Sequence, residues 1–264
     1  MRADKYFAER FGSRTKAAEA LEKGLVLVNG KTVKPKDEVK ETDEISFIET
    51  QEHFVSNGGY KLDRGLKTFL FDCNGKIFAD IGASTGGFTD CLLQNGAKKI
   101  YAIDVGESLL HKSIANDERI VRMENTNARY LEKQAFDEEL DGVVTDVSFI
   151  SLRLIFPAIQ RILKENGDVF ALIKPQFECE KKNICKSGIV HPSAHPQIVE
   201  KVLGYAEENG LYPFGIVHAP IRKGKNIEYV VHLKNTPFMA KSVAATVEAV
   251  KTFVRHNSSV THTT

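Results

Sequence analysis

The 264-residue sequence predicts an α/β fold built on a mostly parallel, Rossmann-like sheet, and three features carry that reading. From Tyr60 onward, apolar strand patterns alternate with helix patterns, as in a parallel sheet covered by helices on both faces. The segment KIFADI runs into the glycine-rich GASTGGF and then into FTDCLLQNGA, which reads as strand, tight turn and helix. The last two strand patterns, PFGIVHAPI and NIEYVVHL, are separated by RKGKN, too short for a crossover helix. They should therefore pair antiparallel at one edge.

Taken in order, residues 1–48 form a small α+β module. Short helical patterns precede GLVLVNGKTV, where Asn29-Gly30 between apolar residues is a strong hairpin signal. Residues 49–59 are polar, end in glycines and read as a linker. The large domain spans 60–236. Its strands are KIFADIG, KKIYAIDVG, RIVRMEN, DGVVTDV, GDVFALIK and the edge pair, seven in all. Its helices are expected over 60–70, 87–95, 151–165 and 195–209. A final amphipathic helix, packed on the large domain, is expected over 237–256, and 257–264 reads as a frayed tail. Seven strands closed by an antiparallel pair is a methyltransferase sheet rather than that of a nicotinamide dehydrogenase.

Composition narrows the class further. The formal net charge is +1, so no overall field announces a nucleic acid or membrane partner. Residues 1–40, however, hold ten Lys/Arg against six Asp/Glu. Cys73, Cys91, Cys179 and Cys185 lack zinc-site spacing, so no metal is expected and the thiols read as free in a reducing compartment. The opening MRADKYFAERFGSR has no apolar stretch suited to a signal peptide, and no run approaches the ~18 apolar residues of a membrane span. These features point to a cytoplasmic protein.

The loop Asp80-Ile-Gly-Ala-Ser-Thr-Gly-Gly-Phe88 departs from the G-x-G-x-x-G pattern that serves a pyrophosphate. Gly82, Gly86 and Gly87 allow close backbone approach, Ser84 and Thr85 add hydroxyls, and Phe88 closes the loop. A carboxylate at Asp80 suits a ligand carrying a sulfonium and an α-amino group. Asp104 ends the next strand, where an acid accepts ribose hydroxyls. This combination points to S-adenosyl-L-methionine as cofactor.

Ligands of open α/β sheets bind beyond the carboxyl ends of the strands. Asp146 ends DGVVTDV, Lys174 ends GDVFALIK, Glu228 opens the last strand, and Lys61 opens the helix after Gly58-Gly59. Methyl transfer to a weakly acidic hydroxyl, such as a ribose 2′-OH, needs that oxygen placed and its proton removed. Lys174 is the expected base, with Asp146 and Glu228 orienting it and Lys61. Burial and a neighbouring ammonium favour a neutral amine, whereas carboxylates oppose it. The role therefore requires Lys61 close by and water excluded.

The chain resembles the TlyA (hemolysin A) family of ribosomal RNA 2′-O-methyltransferases. The resemblance runs through SNGGYKL, DIGASTGGFTD, AIDVG, TNAR, TDVSFISL, IKPQFE, KSGIV and NIEYVVHL, in order. It implies an FtsJ-like catalytic domain, S-adenosyl-L-methionine and a Lys-Asp-Lys-Glu tetrad on Lys61, Asp146, Lys174 and Glu228, with Asn127 near the adenine. SRTKAAEALEKGLVLVNGKTVKP is similar to an S4 RNA-binding domain. That likeness implies contacts to ribosomal RNA, and hence to ribosomal subunits, from Arg2, Lys5, Arg14, Lys16, Lys23, Asn29 and Lys31. Two stretches depart from the family pattern: GESLLHKSI after AIDVG, and Glu180 with the loop CEKKNICKSG. The competing readings are a non-catalytic RNA-binding or ribosome-assembly factor and, least favoured, a membrane-active hemolysin. The complete tetrad argues against the first, and the absence of an apolar span and of Trp against the second.

Overall fold

The computed structural model describes residues 1–48 and 53–257. Residues 49–52 of the expected linker and 258–264 of the expected tail lie outside the described residues. The chain divides into two compact units, Met1–His53 and Phe54–Thr264.

In the first unit, helices α1 (Ala3–Tyr6) and α2 (Arg14–Glu22) precede strands β1 (Val26–Val28), β2 (Lys31–Thr32) and β3 (Ile45–Phe47). Ser13 starts α2 by accepting a hydrogen bond from the Lys16 N–H. The expected hairpin forms, with Val28 opposite Lys31 across a turn in which Asn29 and Gly30 have φ of 52° and 75°. Two successive positive φ values make a turn whose twist suits a two-residue hairpin. Phe7, Leu21, Val26 and Val28 close a small core of their own.

The second unit holds α3 (Asn57–Thr68), β4 (Ile77–Ile81), α4 (Gly87–Gln94), β5 (Lys99–Ile103) and β6 (Ile120–Met123). These are followed by β7 (Leu140–Thr145), α5 (Phe156–Ile162), β8 (Leu163–Ile173) and α6 (Pro175–Glu178). The chain ends with α7 (His195–Glu208), β9 (Tyr212–His218), β10 (Tyr229–Lys234) and α8 (Val243–Asn257). The seven strands run in the order β6-β5-β4-β7-β8-β10-β9, with β10 antiparallel to both neighbours. The order reverses at β4, whose two neighbours are β5 and β7. A crevice opens at such a point because successive connections leave in opposite directions.

The pleat decides which side chains meet. On one face Ile77, Ala79, Ile81, Val143, Val169, Ala171 and Tyr229 pack with α5, α7 and α8. On the other, Phe78, Val144, Phe170, Leu172 and Val230 pack with α3 and α4. Asp146, Lys174 and Glu228 each stand two residues from Val144, Leu172 and Val230 respectively, so the period of two directs them towards the face that carries α3.

Three boundaries differ from expectation. Helix α3 begins at Asn57, inside the stretch read as linker, so Gly58 and Gly59 are helical and Lys61 lies within the helix rather than opening it. Phe54 accounts for this: a Cβ on Gly59 would come within 2.4 Å of its ring, so glycine lets the helix seat on that buried side chain. The helix expected over 151–165 is confined to a short 3-10 turn and α5, because Leu163 already pairs with Leu140 in the sheet. Helix α8 starts at Val243, later than 237.

Candidate active site

Strand β4 is buried throughout and delivers the chain into a loop in which Gly82, Ser84 and Gly86 have φ of 81°, 48° and 87°. At Gly86 a Cβ would lie 2.4 Å from Ile114 Cδ1, so the GESLLHKSI segment packs directly behind the loop. His111 N–H also donates to the Thr85 carbonyl at 3.1 Å. From the other side, the Val55 N–H donates to Asp90 of α4 at 2.8 Å, pinning the start of α3 against the loop. A Cβ on Gly87 would fall 2.2 Å from Ser56 Oγ and 3.0 Å from Gly58 Cα. Only glycine permits that approach.

The resulting cleft, about 150 Å³, is lined by Ser56, Gly58, Gly82–Phe88 without Gly86, Asp146, Ser148 and Lys174. The amine after β8 thus shares one cavity with the glycine loop after β4. The four polar residues form a connected row. Lys174 Nζ lies 2.6 Å from Asp146 Oδ1, and Lys61 Nζ lies 3.6 Å from Asp146 Oδ2 and 2.7 Å from Glu228 Oε2. Lys174 directs hydrogen bonds to Ser148 Oγ at 2.7 Å and to the Asp146 carbonyl at 3.5 Å, so its contact with the carboxylate is an ion pair rather than an aligned hydrogen bond. The side chains of Lys174, Glu228, Asp146 and Lys61 are 9%, 15%, 18% and 21% exposed, which leaves the row largely dry.

Three supporting residues were not assigned from the sequence. Ser148 takes a hydrogen bond from Lys174. Gln176 donates to Glu228 Oε1 at 3.1 Å. Glu178, buried, accepts from Ser151 Oγ at 2.7 Å and the Leu152 N–H at 2.8 Å, tying the segment after β8 to the segment after β7. Burial pushes the Glu178 carboxyl above its ordinary range. All three lie in TDVSFISL and IKPQFE, so the motifs marked the place without revealing the contacts.

The other expected ligand residues stand differently. Asp80 is not among the residues lining the cleft: it stands on the same sheet face as Asp146 and Lys174 but is fully buried, and it accepts from Thr89 Oγ1 at 2.7 Å. Burial, with Asp146 adding a smaller like-charge effect, raises its carboxyl to about 7. Its other oxygen has no protein donor. A ligand amine or water reaching that oxygen would satisfy it, so the residue suits a cationic ligand at one remove. Asp104 receives the N–H groups of Ser84 and Gly106, both at 2.9 Å, and each oxygen keeps a lone pair for a hydroxyl. Asn127 uses Oδ1 to start a 3-10 turn at Ala128–Tyr130. Gly86, Asp104, Asn127, Lys61 and Glu228 are likewise outside the lining of the cleft. A glycine cradle, an acid at the next strand end and an orphaned buried oxygen together fit S-adenosyl-L-methionine.

In the first unit, Arg2, Lys5, Arg14, Lys16, Lys23, Asn29 and Lys31 are all exposed. Arg2 and Arg14 share Asp4: Arg2 binds it through two nitrogens at 3.1 and 2.8 Å, and Arg14 Nε reaches it at 3.0 Å. The paired arginines hold the Asp4 carboxyl below its usual range. Asn29 works as a turn residue, donating to Asp43 at 3.0 Å and accepting from the Glu44 N–H at 2.9 Å.

Comparison with known proteins agrees with both units. Residues 54–235 match the family model described as FtsJ-like methyltransferase, and residues 1–45 match the S4 domain. The chain is 40% identical to Hemolysin A of Brachyspira hyodysenteriae, over 88% of this chain and 99% of that one. It is 37% identical to the 16S/23S rRNA (cytidine-2′-O)-methyltransferase TlyA of Mycobacterium tuberculosis, over 90% of each. A solved Streptococcus thermophilus structure described as a hemolysin superimposes with a TM-score of 0.75 at 37% identity, covering 98% of both chains. With the family matched over both units and along nearly the whole length of its relatives, the chain belongs to the TlyA (hemolysin A) family of S4-domain, FtsJ-like methyltransferases.

Proposed function

We propose that this protein transfers a methyl group from S-adenosyl-L-methionine to a ribose 2′-OH of ribosomal RNA. The observation that carries the proposal is the single cavity shared by the glycine loop and the Lys174–Asp146 pair. The cofactor, when bound, supplies an electrophilic methyl on a sulfonium. The protein must then hold the ribose oxygen and take its proton. Lys174 is the base in this reading. Its side chain is nearly dry, and the Asp146 carboxylate against it also carries Lys61, which draws on the same negative charge. Glu228 and Gln176 keep Lys61 in place, and Ser148 fixes the direction of the Lys174 amine. The loop Gly82–Phe88 together with Asp80, Asp104 and Asn127 receives the cofactor.

The S4 unit supplies RNA contacts of its own through Arg2, Lys5, Arg14, Lys16, Lys23, Asn29 and Lys31, all exposed. Such a module reads RNA through phosphates, 2′-OH groups and shape. Among the described residues no helix is long and apolar enough to cross a membrane. The test is to map 2′-O-methyl groups by mass spectrometry in ribosomal RNA from cells with and without the gene, and in RNA treated with purified protein. A gene-dependent ribose methyl is the expected result. RNA binding with no ribose methylation would leave a ribosome-assembly factor as the better reading.

A further inference from the structure

Two loops leave the catalytic edge beside Lys174 and Glu228. Strand β9 ends at His218 opposite Tyr229 of β10, and Tyr229 faces Ile173 of β8, so the 219–227 connection emerges next to the quartet. The 179–191 connection follows α6 directly. Asn226 joins the two: its Oδ1 accepts from the Val190 N–H at 2.8 Å, and its Nδ2 donates to the Gly188 carbonyl at 3.0 Å. Each loop is also braced internally. Ile184 bridges Val190 around a turn in which the Gly188 N–H donates to the Cys185 carbonyl at 2.9 Å, and the Lys225 N–H donates to the Arg222 carbonyl at 3.1 Å. The pair is therefore a built ledge.

Its charge is one-sided. Lys181, Lys182, Lys186, Arg222, Lys223 and Lys225 are all exposed. The only acid in either loop is Glu180, paired with Lys182 at 2.8 Å. A whole chain of net +1 has thus concentrated six cations and one acid on a ledge beside the catalytic row. Glu228 is committed to Lys61 and does not offset them.

We propose that this ledge grips the sugar-phosphate backbone of the RNA flanking the target nucleotide, as a second RNA contact separate from the S4 unit. The inference rests on the RNA substrate proposed above. Lysines spaced along two cross-linked loops suit a run of phosphates, which they meet as point charges without reading sequence. Each phosphate contact contributes ~0.7–0.9 to the slope of log affinity against log salt.

The test uses the full-length protein, a labelled ribosomal RNA transcript and the variant Lys186→Gln/Lys223→Gln/Lys225→Gln. Filter binding across a salt series should show a slope reduced by about 2–3 and, at 0.15 M salt, affinity weakened at least about tenfold. Binding of S-adenosylhomocysteine and turnover at saturating RNA should match the wild type. An unchanged slope and affinity would overturn the ledge, as would loss of binding to phosphatidylglycerol vesicles with RNA affinity intact. If the wild type binds the transcript without methylating it while the variant binds more weakly, the substrate reading fails and the ledge stands. If both proteins methylate the transcript and bind it equally well, the substrate reading stands and the ledge fails.

Discussion

Lys174 and Asp146 meet at 2.6 Å across the ends of adjacent parallel strands, and the second oxygen of the same carboxylate faces Lys61 at 3.6 Å. One acid thus sets the spacing of two amines. Replacing Lys174 with Ala should lower methyl transfer by about 10²–10⁴-fold, the range for a lost general base, while binding of RNA and of S-adenosylhomocysteine persists. Asp146→Asn should also lose activity and should cost about 1–3 kcal/mol of stability, since two largely buried amines would lose the negative charge they share. Single-turnover methylation with binding isotherms separates the effects, and undiminished turnover in the alanine variant would remove Lys174 from the chemistry.

Glu178 acts at a distance from the cleft. Its carboxylate clamps Ser151 and Leu152, fixing the segment that carries Ser148 to the helix that follows Lys174. Glu178→Ala should cost about 1–3 kcal/mol by stranding the buried Leu152 N–H. It should also reduce turnover roughly 10–100-fold through misplacement of the Lys174 amine. Glu178→Gln, which keeps an acceptor for one of the two bonds, should recover part of both. Urea melts and kcat measured together would show whether the two losses track each other.

At Gly87 the constraint is space. A methyl group there meets Ser56 Oγ at 2.2 Å and the Gly58 backbone at 3.0 Å, so α3 must move off the loop. Gly87→Ala is expected to destabilise by about 1–3 kcal/mol. If the displaced wall forms part of the cofactor site, affinity for S-adenosylhomocysteine should fall about tenfold, equivalent to ~1.4 kcal/mol. Calorimetric titration reads this directly, and wild-type affinity would place the cofactor elsewhere.

Two buried groups give stability opposite pH dependences. Burial raises Asp80 from an ordinary 3.8 to about 7, so between those values the native state holds a proton that the unfolded chain has released. Its contribution is full in acid and lost as pH rises through 7. Burial lowers His195, bonded to the Tyr229 hydroxyl at 2.8 Å, from 6.5 to about 4. There the unfolded chain binds the extra proton, and stability is lost as pH falls from 6.5 through 4. The Tm advantage of Asp80→Asn over wild type in the cofactor-free protein should be absent near pH 4 and grow to several degrees by pH 8. A pH-independent difference would contradict the burial argument.

Much of the site was legible because strand ends are legible. FADIG, VVTDV and FALIK each run from apolar residues into a polar one, and in a parallel sheet those ends share an edge. Helix limits were less so. The start of α3 depends on Phe54 lying under Gly59, a packing contact that apolar periodicity does not show, and the end of α5 on Leu163 finding Leu140 far away in the chain. At Asp80 the motif marks a strand end, but not that Thr89 of the following helix binds one carboxylate oxygen and leaves the other without a protein donor. Arg2 and Arg14 are both expected RNA contacts by the resemblance, and the fold joins them through Asp4.

By itself the sequence determined the strand order along the chain, the hairpin at Asn29-Gly30 and the three charged residues Asp146, Lys174 and Glu228 at strand ends, because each depends on local periodicity or turn chemistry. Only the tertiary structure decided which amine faces the glycine loop, which carboxylate is shared, and which loops Asn226 stitches into a basic ledge. The physical reason is range. Backbone preference acts over a few residues, whereas an ion pair or a crossed loop exists only after segments far apart in the chain have packed.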